Sequence, residues 1–204
     1  IYISAGNNNS STTLIKNNTL EVYNGTNVGI YARNNTDIID NTISFGDRYS
    51  WQCSWSQYGY YLRAVDVDDS DHHIIRGNTI TNFARGIEMS NSTDNIVDSN
   101  YIYTVSDYLM QSYSTQNFSD NYGIYANNSD SLFITNNSIK TGSGALIYQT
   151  NGASTIKYNL LETESGRGIW CENQAGVEFS NNTLVSTNGT GDYGMYISNL
   201  SAPI

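Results

Sequence analysis

The sequence has little of several residue types that commonly define a protein class. Its 204 residues include one proline and two cysteines, and nine Lys and Arg stand against nineteen Asp and Glu, a formal net charge of −10. Nucleic-acid affinity depends on Lys and Arg at phosphates, so this balance argues against a nucleic-acid partner. No apolar run approaches about 18 residues, so we expect no membrane insertion. Hydrophobic residues still make up 38%, enough for the core of one folded domain.

The start of the sequence bears on processing, and its sequons point to export. The sequence begins at Ile1 without a basic and apolar leader, so we expect a processed chain or a fragment of a longer one. Twelve N-x-S/T sequons indicate an extracellular, glycosylated surface. The sequons start at Asn8, Asn9, Asn17, Asn24, Asn34, Asn91, Asn117, Asn127, Asn136, Asn181, Asn188 and Asn199.

An asparagine recurs along the chain in one local pattern, with a short apolar segment before it and another apolar residue two positions after it. Successive asparagines are 23, 37, 22, 37, 22 and 23 residues apart, a period of about 22 with two expanded members. This period predicts a solenoid in which each repeat forms one coil. The asparagines are Asn18, Asn41, Asn78, Asn100, Asn137, Asn159 and Asn182.

Each repeat also has an upstream element in which a small residue precedes alternating apolar positions. Gly86 followed by Ile87 and Met89 is typical, and the period of two predicts a strand with one buried face. Clusters of Asn, Ser, Asp and Thr between the elements predict turns. One coil therefore comprises a strand, a polar turn, a short strand, an asparagine corner and a third short strand. The small residues are Gly29, Ala64, Gly86, Gly123, Ala145, Gly168 and Gly194.

The segment Ile75-Arg76-Gly77-Asn78-Thr79-Ile80 and its relatives resemble the right-handed parallel β-helix superfamily of pectate-lyase-like enzymes, tailspikes and carbohydrate-binding and sugar-hydrolysis repeats. The resemblance covers nearly the whole chain and implies an all-β parallel β-helix of seven to eight coils, with residues 1–204 as one domain. Because this fold hosts many functions, the resemblance does not specify an activity. The Asn/Thr-rich composition also resembles archaeal surface and adhesin-like proteins.

The two 37-residue intervals predict aromatic-rich insertions at residues 44–60 and 103–122. Long loops in compact repeats are commonly functional or cover another surface. Each insertion either packs on the solenoid wall or contributes to a groove or an intersubunit contact. The first contains Phe45, Tyr49, Trp51, Trp55, Tyr58 and Tyr60, and the second Tyr103, Tyr108, Tyr113, Phe118 and Tyr122.

The densest acidic segment follows the second small residue of the repeat. Its carboxylates could bind Ca²⁺, which prefers oxygen ligands, but the same positions are solvated turns in other coils. The spacing does not match an EF-hand, so we expect no resident cofactor and retain Ca²⁺ only as an alternative. The candidate ligands are Asp66, Asp68, Asp69 and Asp71.

A second constellation should be brought together by the coil spacing. Arg63 and Arg85 occupy equivalent positions in consecutive coils, as do Asp66 and Glu88. The β-helix resemblance implies that a lyase would use a Lys or Arg base beside Ca²⁺-binding acids, and a glycosidase needs two carboxylates about 5–9 Å apart. The alternative is a surface ion-pair ladder without catalytic function. We expect the ladder.

Aromatic residues continue the same outward column. Aromatic rings on such a face can stack on sugars or be buried in a protein contact, and the sequence does not separate the two uses. The interface or sugar-stacking candidates are Trp51, Trp55, Tyr31, Tyr125, Trp170 and Tyr196.

The two cysteines lie in different parts of the predicted solenoid. Cys53 lies in the first insertion and Cys171 at an inward strand position four coils later, about 20 Å away at about 4.8 Å per coil. Two free thiols, a long-loop intrachain bridge and a bridge between molecules all remain open.

The first and last strands have equivalent sequences, Ile1-Tyr2-Ile3-Ser4 and Met195-Tyr196-Ile197-Ser198. In-phase, uncapped ends favour head-to-tail association, unless flanking sequence supplies caps. The sequence therefore predicts a structural subunit of an extracellular sheath, surface layer, fibre or adhesin, with itself and glycans as partners. The alternatives are a carbohydrate-active enzyme centred on Arg63, Asp66, Arg85 and Glu88, or a non-catalytic sugar-binding module.

Overall fold

The computed structural model describes residues 2–3, 12–22, 28–33, 35–46, 62–104, 121–141, 145–163, 166–187 and 194–199. Within these ranges the chain forms twenty β-strands and no helix, and every strand pairing is parallel. The same residues contain no helix long and apolar enough to cross a membrane. The predicted all-β parallel solenoid is confirmed, with about six turns, slightly fewer than the predicted seven to eight coils.

Three parallel faces surround one core, and each coil contributes one strand to each face. Face A comprises β1 (Tyr2–Ile3), β4 (Val28–Ala32), β7 (Arg63–Asp68), β10 (Arg85–Ser90), β13 (Tyr122–Asn127), the first halves of β16 (Ala145–Lys157) and β18 (Arg167–Ser180), and β20 (Met195–Ser198). Face B comprises β2 (Thr13–Lys16), β5 (Thr36–Ile39), β8 (Ile74–Arg76), β11 (Ile96–Asp98), β14 (Leu132–Thr135) and the second halves of β16 and β18. Face C comprises β3 (Thr19–Val22), β6 (Thr42–Phe45), β9 (Thr79–Phe83), β12 (Tyr101–Thr104), β15 (Ser138–Thr141), β17 (Leu160–Thr163) and β19 (Thr183–Ser186).

The predicted period-two alternation places apolar side chains in columns inside the solenoid. Ile87 pairs in register with Val65 and Ile124, and all three are fully buried. The small residue before this column lies where the backbone of the next coil comes close, since a Cβ at Gly86 would lie 2.6 Å from the carbonyl oxygen of Gly123. The Gly-apolar motif therefore reflects close packing at the entry to face A.

The repeated asparagines form a hydrogen-bonded ladder at the corner between faces B and C. The backbone N–H and the Nδ2 of each asparagine donate to Oδ1 of the asparagine one coil further on, at 2.9–3.1 Å. From Asn41 onward, each Nδ2 also donates to a face B carbonyl of the preceding coil. The ladder gives hydrogen-bond partners to buried backbone N–H and carbonyl groups at the corner where the chain turns, since buried backbone polar groups need such partners.

The residue before each ladder asparagine adopts a left-handed backbone conformation that turns the chain. Asn, Asp and Gly tolerate this conformation best, because bulky side chains are strained there. Tyr158 is the bulkiest residue to hold it in this column, with φ of 58°. The full column is Asn17, Asp40, Gly77, Ser99, Asn136, Tyr158 and Asn181.

Three predicted boundaries are wrong. Phe45 belongs to β6 and is buried in the core, where its ring meets that of Phe83 edge-on at 6.0 Å. Tyr103 lies in β12 and Tyr122 begins β13, so neither belongs to an insertion. The rest of the predicted insertions, residues 47–60 and 105–120, lies outside the described residues.

The predicted register is wrong by one residue in β16. Ala145 pairs with Arg167 and Ile147 with Ile169, so Leu146, and not Ala145, occupies the position equivalent to Gly168. The coil that contains β16 has one residue fewer than the next coil. The missing residue is seen as a shift in the register between β16 and β18 at Gly152 and Ala153.

Candidate functional site

One outward column on face A brings together six of the candidate residues. Strand register places Tyr148 between Tyr125 and Trp170, a member that the sequence alignment missed through the one-residue slip in β16. The other members were predicted, and the pairings confirm that they stack. In order along the solenoid the column is Tyr31, Asp66, Glu88, Tyr125, Tyr148, Trp170 and Tyr196.

The aromatic members of this column contact one another. Tyr125 and Tyr148 are stacked with ring centroids 5.1 Å apart and planes 9° from parallel. Trp170 continues the series, with centroids 6.0 Å from Tyr148 and 5.0 Å from Tyr196. Such pairs contribute about 0.5–1.5 kcal/mol each beyond area burial. Tyr125 and Tyr148 turn their faces toward each other, which leaves less of these two faces for an external sugar, whereas Trp170 is tilted by about 60° to both of its neighbours.

Three arginines cover further ring faces. The guanidinium carbon of Arg85 lies 4.5 Å from the Tyr125 ring centroid, and that of Arg167 lies 3.4 Å from the Trp170 centroid. Both distances are typical of cation–π contacts. Arg33 also lies over Tyr31 at 5.4 Å, so three cations of a chain that has few are placed over aromatic rings of face A.

The charged half of the column is a buried ion cluster. Arg63 Nη1 lies 2.7 Å from Asp66 Oδ2, and Arg63 Nε lies 2.7 Å from Glu88 Oε2. Arg85 Nη1 also lies 2.7 Å from Glu88 Oε2. Although both carboxylates leave the outer side of their strands as predicted, Asp66 is only 3% exposed and Glu88 only 5%. The sequence predicted an ion-pair ladder at the surface. The structure instead buries its carboxylates.

Burial changes the electrostatics of this cluster. Removal from water raises the pKa of Asp66, and the charge of Arg63 opposes this shift only in part. Burial by itself would lower the pKa of Arg63, but the charges of Asp66 and Glu88 outweigh it, so that pKa is raised. The two guanidinium and two carboxylate groups neutralise each other, as buried charges require.

The four candidate calcium ligands do not converge. Asp66 belongs to the ion cluster, while Asp68 Oδ2 accepts hydrogen bonds from Arg33 Nη2 at 3.1 Å and from the Tyr31 hydroxyl at 3.2 Å. Asp69 Oδ1 accepts from the Asn91 amide, and Asp71 Oδ1 accepts from the backbone N–H of Thr93. Across the described parts of the chain, no group of three or more His, Cys, Asp or Glu side chains is placed to hold a metal ion.

A buried histidine at the corner between faces A and B was not predicted. His73 Nδ1 accepts the backbone N–H of Thr36 at 3.2 Å, so Nε2 carries the proton and donates to Ser70 Oγ at 2.8 Å. Burial lowers the pKa of His73 to about 4. The burial of His73 could have been predicted from its place in the repeat. It lies one residue before a face B strand, and Asn95, at the same place in the next coil, is also buried.

Cys171 is a free thiol, fully buried on the inner side of β18. A bridge from Cys171 to another molecule would require this buried position to open, and a bridge to Cys53 stays a prediction. Burial raises the pKa of its thiol to about 12, so the reactive thiolate is scarce at neutral pH. Cys53 lies outside the described residues.

The sequons that the structure describes all have exposed asparagines at corners of the solenoid, which leaves the glycosylation prediction open to test. Trp51 and Trp55 lie outside the described residues, as do the sequons at Asn8, Asn9, Asn24, Asn34, Asn117 and Asn188. The described sequon asparagines are Asn17, Asn91, Asn127, Asn136, Asn181 and Asn199.

Comparison with known proteins identifies the fold. The crystal structure of the Dettilon tailspike protein superposes with a TM-score of 0.63 at 14% sequence identity, covering 86% of this chain and 40% of that chain. This chain therefore spans less than half of the tailspike's length. Because the sequence identity is low, the similarity shows the fold alone. No curated protein sequence matches, and neither match supports the archaeal resemblance.

The family comparison gives a direct assignment. A family model described as "Right handed beta helix region" matches residues 55–203, nearly three quarters of the chain. The matched region contains the ion cluster, the aromatic residues of the column other than Tyr31, and five of the seven ladder asparagines. The chain belongs to the right-handed β-helix family.

Proposed function

We propose that this β-helix is a structural subunit of an extracellular surface assembly, such as a sheath, surface layer, fibre or adhesin. One observation carries the proposal: Arg85 joins the ion cluster to the aromatic column. Its guanidinium contacts Glu88 at 2.7 Å and covers the Tyr125 ring at 4.5 Å. The groups of face A that resemble a reactive site are engaged with one another, as in a structural surface.

The state of the two carboxylates supports a structural role over acid–base catalysis. A glycosidase needs one carboxylic acid to protonate the leaving group and a second carboxylate that reaches the sugar or a water. Asp66 and Glu88 are buried and paired with guanidinium groups, so substrate contact would require breaking these bonds. Separating one partner from a buried ion pair costs about 3–5 kcal/mol, which is a large barrier to add to a reaction.

Self-association is supported by the strands at one edge of the solenoid. Met195 occupies an inward position in register with Ile169, yet it is 43% exposed whereas Ile169 is fully buried. Leu184 of the neighbouring face is likewise only partly buried against the core. An edge strand with exposed apolar positions is a template for another β-layer, and self-association is the source of that layer which this proposal tests.

A sugar-binding module is the second candidate function, and Tyr196 favours it. This residue ends the described aromatic column and is exposed. A sugar would therefore contact Tyr196 and the adjacent edge of Trp170. The same column position could equally meet an aromatic residue of a neighbouring subunit.

Two assays on the purified protein separate these functions. Incubation with a panel of neutral and acidic polysaccharides should leave their chain lengths unchanged, and Glu88→Gln should behave identically. Negative-stain electron microscopy should show filaments, tubes or sheets, which Met195→Lys should abolish. Leu160→Lys is the matched control, since Leu160 is similarly exposed but outward-facing on face C. Polysaccharide cleavage that is lost in Glu88→Gln would contradict the structural role and establish the enzyme.

A further inference from the structure

Face B carries an outward apolar stripe that no part of the described chain covers. Leu14 is 60% exposed and Phe133 49%, while Ile74 and Ile96 are half-buried on the same outer side. Strand register aligns all four in one column, and Ile74, Ile96 and Phe133 occupy three consecutive coils. A flat parallel sheet with apolar outward positions is normally covered by another layer.

The charges on this face differ from those of the whole molecule. Its outward positions carry three cations, Lys16, Arg76 and Lys157, and three anions, Asp37, Asp98 and Glu178. The face is therefore formally neutral, whereas the complete chain carries −10. A second copy of this chain, repelled elsewhere by like charge, meets the least repulsion here.

Four of these six charges are complementary under reversal, whereas Asp98, on the fourth strand, comes level with its own copy and is already paired with Arg76 at 3.0 Å. Lys16 lies on the first face B strand and Glu178 on the seventh, while Asp37 lies on the second and Lys157 on the sixth. If two copies face each other antiparallel about the fourth strand, Lys16 comes level with the partner's Glu178, and Asp37 with the partner's Lys157. Ile74 then comes level with Phe133, and Ile96 with its own copy.

We propose that face B is a homotypic interface on which a second copy of this chain packs antiparallel. Packed sheets lie about 10 Å apart, so Ile74, Ile96 and Phe133 fill the centre, while Leu14 lies with the Lys–carboxylate pairs at the ends. The parallel alternative would place Glu178 level with Glu178 and Lys16 level with Lys16. The charge pattern therefore selects the antiparallel arrangement, which is an isologous dimer.

This inference adds a partner and a lateral surface to the proposed structural role, which concerns the edge at Met195. The two claims fail separately. Axial filaments without pairing through face B would overturn only the interface, and pairing without filaments would overturn only the axial assembly.

Sedimentation velocity over a concentration series tests the pairing. Glycans on Asn17, Asn136 and Asn181 would lie at the corner beside face B, so the protein is produced in a host without N-glycosylation. Met195→Lys is the parent form, because it suppresses axial stacking. We expect a concentration-dependent monomer–dimer equilibrium that Phe133→Asp abolishes. A carboxylate is tolerated in this outward column, where Asp37 and Glu178 already stand, and circular dichroism checks the fold of every variant.

Charge reversal tests the antiparallel register. Glu178→Lys should raise the dimer dissociation constant about tenfold, and Lys16→Glu combined with Glu178→Lys should restore it to within about threefold. Glu162→Lys, the same charge change on the outer side of face C, should leave the dimer unchanged. A monomer at all concentrations, a dimer that survives Phe133→Asp, or a double variant as weak as Glu178→Lys would overturn the proposal.

Discussion

The side-chain amide of Asn78 donates to Oδ1 of Asn100 at 3.0 Å, and the backbone N–H of Asn78 donates to the same oxygen at 3.0 Å. Asn100 repeats both bonds one coil further on with Asn137. One oxygen therefore accepts from a buried backbone N–H and from the side-chain amide of the same residue, which holds the corners of neighbouring coils in register. The sequence period of the chain is the spacing of these bonds.

Replacement of Asn100 by Ala should destabilise the fold by about 3 kcal/mol, because each buried group left without a partner costs about 1–3 kcal/mol. The backbone N–H of Asn78 loses its acceptor and the carbonyl of Ile75 loses its donor. Urea denaturation followed by circular dichroism measures the change. Asn136→Ala is the control, since Asn136 is exposed and its replacement should cost only about 1 kcal/mol, chiefly for placing Ala at a φ of 55°. Equal effects of the two variants would contradict the structural role of the ladder.

Replacement of Tyr158 by Asn should stabilise the protein. Tyr158 holds a left-handed conformation with φ of 58° and its side chain is exposed, so strain is removed without loss of core packing. The equivalent residue in other coils is often Asn, and relief of such strain is worth on the order of 1 kcal/mol. The midpoint of thermal unfolding should rise. A lower midpoint would mean that the Tyr158 side chain makes a contact stronger than the strain.

The buried His73 should make stability depend on pH between about 6.5 and 4. Its pKa is lowered to about 4 in the folded state, against 6.5 when unfolded, so the unfolded chain binds more protons in this window. This contribution is fully present above pH 6.5, declines as the pH falls, and levels off below 4, for a total of about 3 kcal/mol. Urea denaturation at pH 7, 5.5 and 4 measures it.

The matched variant for this prediction is His73→Asn. Asparagine is accommodated at the equivalent position of the next coil, Asn95, where it is buried. The variant should lose the part of the pH-dependent stability that comes from His73, while the carboxylates of the protein titrate as before. An unchanged slope between pH 6.5 and 4 would show that His73 is not the responsible group.

Cys171 should be unreactive in the folded protein. In a Cys53→Ser variant, which leaves Cys171 as the remaining thiol, a maleimide should label no protein under native conditions and all of it in denaturant. Burial and a pKa raised to about 12 both suppress the thiolate. Non-reducing gels should show the monomer. Native labelling, or a dimer band removed by reductant, would mean that β18 exposes this position.

The sequence predicted those parts of the fold that are repeated in every coil. The asparagine corner, the period-two strands and the stacking of Arg63 with Arg85 follow from equal spacing, because parallel coils place equivalent residues one above another. Tyr148 was missed because one residue is absent from its coil, and a fixed offset cannot detect a slip that the later register shift at Gly152 corrects.

Burial was less predictable than position. Alternation correctly assigns Asp66 and Glu88 to the outer side of face A, but the two carboxylates are nevertheless buried with the arginines that pair with them. His73 was missed because it follows an exposed, polar-looking run that ends at His72. A tight corner turns one of two adjacent histidines inward, which depends on backbone geometry rather than on residue type.

Electron cryomicroscopy of the assembled protein tests the central claim most directly, namely that the subunits continue one another's solenoid. The account predicts filaments whose strands run across the axis with a rise of about 4.8 Å per layer, unbroken across subunit boundaries. Met195→Lys should prevent them and Leu160→Lys should not. Monodisperse particles at every concentration, or assemblies in which the β-layers of neighbouring subunits do not meet at the Met195 edge, would contradict it.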